Sequence, residues 1–147
     1  VTSISSYDFL FEISDGAIGG TYLTIDEVNE FSVDYSANNE EVDATTFADD
    51  GTYAGRMIQR GASLTLTGFY SLSSGSRSAS QARIQTLGVG VGANSLGYIR
   101  WRHATETNWR VWNAYVTLGE VGGGNTDLAS WEATFTKSGA ETTASVA

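Results

Sequence analysis

Apolar and polar residues alternate along most of this chain in short runs broken by Gly, Asn, Asp and Ser, a pattern that fits half-buried strands joined by turns. In residues 30–35, Phe31, Val33 and Tyr35 fall on one face and Glu30, Ser32 and Asp34 on the other, because strand side chains point alternately up and down. Residues 63–70 repeat the pattern, with Leu64, Leu66 and Tyr70 set against Ser63, Thr65 and Thr67, and Phe69 interrupting an otherwise neutral, hydroxylated face. An early strand is expected near 7–13, and 98–103, 108–119 and 129–137 read as three further strands. Their short connections, with Gly122, Gly123, Gly124 and Asn125 favouring a turn, predict a meander. The chain is therefore mainly β. It contains no Pro, one of the residues that blunt exposed sheet edges, so open edges suit strand addition between subunits.

One short helix of about ten residues interrupts the strands. Ser76 or Ser78 can cap it, Ala79, Ala82, Arg83, Ile84 and Leu87 space as a helical stripe, and Gly88 can end it. Ala79, Ala82 and Ile84 are expected against a sheet, with Arg77 and Arg83 in water. Gly88, Gly90 and Gly92 follow this helix, whereas a phosphate-cradling loop would precede one.

Charge divides the chain. The first fifty residues hold twelve acids and no Lys or Arg, and the rest hold all eight basic residues with five acids, for a net charge of −9. Such a split offers one half an opposite-charge partner, a second copy included, or serves solubility alone. At 147 residues a single domain, 1–147, is expected. No apolar run approaches the ~20 residues of a membrane span and no signal-like start precedes residue 10, so a soluble chain without a membrane partner is expected. The absence of Cys removes disulfides, thiolate zinc sites and cysteine nucleophiles.

Catalytic chemistry is hard to place, and no cofactor or metal is assigned. The single His103 would have to anchor any histidine triad or centre alone. The acid pairs Asp26 and Glu27, Glu40 and Glu41, and Asp49 and Asp50 match no calcium loop, and solvated acids explain them. Arg100, Arg102 and Arg110 interleave with Trp101, Trp109 and Trp112 in a manner that suits single-stranded nucleic acid, but the net charge opposes it. A monomeric carbohydrate-binding β-sandwich with exposed Trp is the alternative of another class. By parity Trp101 goes inward with Ile99, Trp131 with Ala133 and Phe135, and Trp112 with Val116 and Leu118, which leaves Trp109 as the free ring.

Residues 40–60 connect two good strands over roughly twice the usual loop length. They carry Val42, Phe47, Tyr53 and Met57, with Glu40, Glu41, Asp43, Asp49 and Asp50 at the front and Arg56 and Arg60 at the rear. A loop of this kind can reach a neighbour and pair charge with it.

The run FSVDYSANNEEVDATTF at 31–47, the loop ADDGTYAGRMIQRG at 48–61, ASLTLTGFY at 62–70, then a helix and a late meander resemble the major tail (tail tube) proteins of long-tailed bacteriophages. The resemblance covers most of the chain and is one of pattern and order. It implies a β-sandwich or barrel-like tail tube fold with one flanking helix and a long inter-strand loop. It also implies a non-enzymatic virion protein, assembled in the host cytoplasm, whose hexameric rings stack into the tail tube. Genome DNA would cross the lumen without specific binding, and the partners would be further copies, tail tip or initiator, tape measure and tail terminator proteins. The loop would touch the adjacent ring through Glu40, Glu41, Asp43, Phe47, Asp49, Asp50, Tyr53, Arg56, Met57 and Arg60. Glu30, Ser32, Asp34, Thr65 and Thr67 would face the lumen, where like charge denies DNA the counterion release that drives binding.

Overall fold

A computed structural model describes residues 2–16, 20–73 and 75–146. In chain order these form β1 (Phe9–Ser14), β2 (Tyr22–Thr24), β3 (Val28–Asp34), β4 (Glu40–Asp43), β5 (Gly55–Gln59), β6 (Ser63–Phe69), β7 (Leu72–Ser73) and β8 (Ser76–Arg77). Helix α1 (Ala79–Val89) follows, then β9 (Leu96–His103), β10 (Asn108–Leu118), β11 (Ser130–Lys137) and β12 (Thr142–Ser145). The main antiparallel sheet runs β2-β1-β9-β10-β11-β6-β3, with β12 also on β10. The expected meander is present as β9, β10 and β11, each beside the next.

This sheet folds over on itself into a sandwich-like, mainly β body. Phe31 of the edge strand β3 meets Phe9 and Phe11 of β1, with ring centroids 4.9 and 5.2 Å apart. Register carries the alternation inward. Leu64 lies opposite Val33 on one side and Phe135 on the other, and Leu66 opposite Phe31 and Ala133. Both leucines are fully buried, and burial of each such side chain stabilises the fold by about 1.5–3 kcal/mol. Trp112 and Trp101 cross edge-on in the same core at 5.9 Å.

Two details differ from expectation. Tyr35 lies past the end of β3 in a turn and is mostly exposed, and Tyr70 lies past β6, half-buried beneath the Arg77 guanidinium. Helix α1 buries Ser80, Gln81, Ile84 and Leu87, leaving Ala79 and Ala82 exposed, and it continues through Gly88 to end at Gly90.

The reason is a polar anchor. Gln81 Nε2 donates to the Phe69 and Asp26 carbonyls at 2.8 and 3.2 Å, and its Oε1 accepts from the Ser71 amide at 3.0 Å. Ser78 precedes the helix but its hydroxyl donates to Asp26 Oδ2 at 2.6 Å and caps nothing. Arg83 is half-buried, its Nε donating to the Ser14 carbonyl at 3.1 Å. Gly97 lets the helix approach the sheet, since a Cβ there would stand 2.6 Å from Leu87 Cδ1.

Candidate functional site: a polar face and a projecting hairpin

Strand parity that sends Leu64, Leu66, Phe31 and Val33 inward sends their neighbours to the opposite face. Glu30 lies opposite Thr67, Ser32 opposite Thr65, and Asp34 opposite Ser63, so the five residues singled out in the sequence share one surface. Glu30, Ser32 and Asp34 are exposed, and Thr65 and Thr67 are half-buried between strands. β11 extends the surface with Glu132 opposite Thr67, Thr134 opposite Thr65 and Thr136 opposite Ser63. The Thr65 and Thr134 hydroxyls lie 3.3 Å apart. Thr117 of β10, opposite Thr134, adds a fourth strand. None of these positions carries a cation.

The sequence reading missed the β11 contribution, although the inward set Trp131, Ala133 and Phe135 already marked its complement. Hydrogen bonds from the Ser36 hydroxyl and amide to Asp34 Oδ1, at 2.5 and 2.8 Å, hold the Asp34 carboxyl below the ordinary carboxylate range. Beside this face, β3 pairs on one side only among the described residues, which leaves a row of its backbone groups open along the outer edge.

The long inter-strand connection expected at residues 40–60 is present, and it is built as a hairpin. Among the described residues β4 and β5 pair with each other and with no other strand. Every residue of both strands is exposed. The hairpin leaves the sheet where β3 and β6 end, at Asp34 and Ser63, across a joint tied by Gln59 Nε2 to the Asn38 carbonyl (2.7 Å) and the Gly61 amide to Asn39 Oδ1 (2.9 Å).

Its tip is built by local chemistry. Thr46 donates its amide to Asp49 Oδ2 at 2.7 Å as a short 3-10 turn, Phe47–Asp49, begins, and the chain returns through Asp50 and Gly51, both with left-handed backbone (φ 50° and 80°). Asp43 Oδ1 accepts from the Thr45 amide at 2.9 Å. Two of the acids counted as front charge therefore shape the turn itself. Phe47 projects with its ring wholly in solvent, and Tyr53, Ile58, Val42 and Met57 are exposed behind it.

The basic and aromatic half offers no comparable open surface. All four Trp residues are buried, Trp109 at 6% exposure, which corrects the expectation that Trp109 is free and removes the ring a sugar-binding face required. Trp109 points outward from the sheet, but the Arg100 and Arg102 guanidinium groups cover it at 4.4 and 4.8 Å from the ring centre. Arg100 also lies 3.9 Å from the Tyr22 ring and pairs with Glu12. Buried His103 has Nδ1 2.7 Å from Thr105 Oγ1 and Nε2 3.9 Å from Asp8 Oδ2, while the Ala104 amide, donating to the Asp8 carbonyl at 2.9 Å, ties the β9–β10 turn to the start of β1.

No protein-family model and no curated protein matches the sequence. Among solved structures, the chain is similar to a chain in the virion of a native gene transfer agent (GTA) particle, 16% identical with a TM-score of 0.69. It is also similar to a chain in the tail of an empty GTA particle of C6 symmetry, 17% identical with a TM-score of 0.72. Each match covers 97% of this chain and 100% of the other. At such identities the likeness establishes a shared fold.

Proposed function

We propose that this chain is a structural, non-enzymatic virion protein, one tail-tube-like domain over 1–147, that assembles into hexameric rings stacked as a tail tube. The observation that carries the reading is the end-to-end fold match to a chain of a six-fold-symmetric tail. Three physical features support it. The cation-free face of Glu30, Ser32, Asp34, Thr65 and Thr67, widened by β11, suits a lumen that DNA crosses without adhering. The open β3 edge suits pairing with a neighbouring copy in the ring. The exposed hairpin, bearing Glu40, Glu41, Asp43, Phe47, Asp49, Asp50, Tyr53, Arg56, Met57 and Arg60, suits contact with the next ring.

In this reading the protein resides in the virion tail after assembly in the host cytoplasm. Its partners are copies of itself, tail tip or initiator, tape measure and terminator proteins. The test is negative-stain electron microscopy across protein concentrations, with sedimentation velocity alongside. Rings or hollow tubes are expected. A strict monomer at high concentration, even beside tail-initiation components, would overturn the reading.

A further inference from the structure

Strand β6 separates two unsatisfied surfaces. The hairpin sits just before Ser63, and just past Phe69, at the other end, Tyr70 and Leu72 open a cleft of about 470 Å³ with Arg77, Gln85 and Val121. β6 has seven residues, so at about 3.3 Å per residue the two surfaces stand ~20 Å apart along the strand. A recess sharing four of these residues leads from the cleft to Ile84, Leu118 and Trp131, which gives it an apolar floor. Leu72 and Val121 are largely exposed at its rim. Arg77 lies 4.6 Å over the Tyr70 ring and donates Nη1 to Gln85 Oε1, and it has no carboxylate within ion-pair distance among the described residues. The hairpin tip carries the converse chemistry. Phe47 is fully exposed, and the exposed Asp50 beside it has no cationic partner among the described residues.

We propose that the hairpin tip of one copy docks in the cleft of the next, with Phe47 seated against Tyr70, Leu72 and Val121 and the Asp50 carboxylate paired with the Arg77 guanidinium. The occupant is a second copy because an aromatic ring with an adjoining carboxylate matches a cleft walled by aromatic and apolar groups around a cation whose partners, Gln85 and the Tyr70 ring, are uncharged. Both surfaces belong to the same chain at opposite ends of β6, so the contact is head to tail. Between copies stacked in one orientation, a contact of that kind repeats from each copy to the next.

This inference rests on the tube reading and adds the receiving surface. The chain lacks Cys, which allows a direct test. Phe47→Cys with Val121→Cys in one chain, oxidised at assembling concentrations, is expected to give a ladder of multimers on non-reducing gels, while either single variant stops at dimers. In a second arm, Asp50→Arg and Arg77→Asp are each expected to raise the concentration needed for stacking about tenfold or more, with the pair combined restoring it. Circular dichroism verifies folding, since all four positions are exposed. Absence of the ladder, or stacking unchanged in both charge variants while wild-type tubes form, would overturn this docking alone. Failure of the wild-type protein to form rings at all bears on the tube reading instead.

Discussion

Glu106 grips Arg110 with both carboxylate oxygens, Oε1 accepting from Nη1 at 2.9 Å and Oε2 from Nη2 at 2.8 Å, at the turn where β9 passes into β10. Oε1 also accepts the His103 amide at 2.9 Å. The Arg110 hydrogen bonds, then that amide, hold the Glu106 carboxyl below its ordinary value of 4.5. A carboxyl depressed in the folded state stabilises the fold above its unfolded pKa and loses that contribution as pH falls through the folded value. Stability is therefore expected to drop below about pH 4.5, and Glu106→Gln should flatten that part of the profile. Thermal melts of both proteins from pH 7 to pH 3 check it. Parallel profiles would refute the assignment.

Ser32→Arg with Thr65→Arg puts two cations on the polar face at positions directly opposite each other. Thr65 is half-buried beside Thr134 and like charges set directly opposite repel, so a modest loss of stability is expected, and circular dichroism verifies that the subunit still folds. Assembled material should then retain DNA at low salt and release it as salt rises. Fluorescence anisotropy with labelled DNA checks this, and wild-type-like indifference to DNA in the variant would count against a lumen at this face.

Reversing the rear of the hairpin, Arg56→Glu with Arg60→Glu, is expected to shorten or abolish tubes in electron micrographs. The far-ultraviolet circular dichroism spectrum should be unchanged, because both side chains are exposed. Tubes of normal length would remove this end of the hairpin from the stacking contact.

Gln81→Ala strips three hydrogen bonds from the buried foot of α1. Leaving buried polar groups unpaired costs about 1–3 kcal/mol, whereas Ala82→Ser on the exposed side of the same helix should change stability by less than about 0.5 kcal/mol. Urea unfolding midpoints of the two variants give the comparison. Equal effects would refute the anchoring role.

Much of this architecture was legible wherever one strand face is buried, because period-two alternation fixes both the element and the direction of each side chain. Glu30, Ser32, Asp34, Thr65 and Thr67 share one face on that basis, and the β11 residues opposite Thr65 and Thr67 extend it. Alternation failed along β10, where Val111 and Trp112 are both buried. Covering groups from distant positions, Arg100 and Arg102 over Trp109, bury its outward face as well, and no local pattern carries that information. α1 was misread for a related reason. Its buried side includes Gln81, which donates to the Asp26 and Phe69 carbonyls, and Ser80, whose hydroxyl lies beside that of Ser78, so an apolar stripe is a poor guide. The hairpin at 40–60 escaped notice because neither strand has a buried face, and alternation arises only where one side is hidden.

β10 has one further consequence. Its first half is edged by β12 and its second by β11, and the Ser138 amide closes the junction on the Asn113 carbonyl at 2.8 Å. Two planks butted along one beam brace each other against sliding, and here neither strand can slip toward the junction without driving into its neighbour. Shear along this edge of β10 strains both ladders, so a load carried along the strand is shared between them.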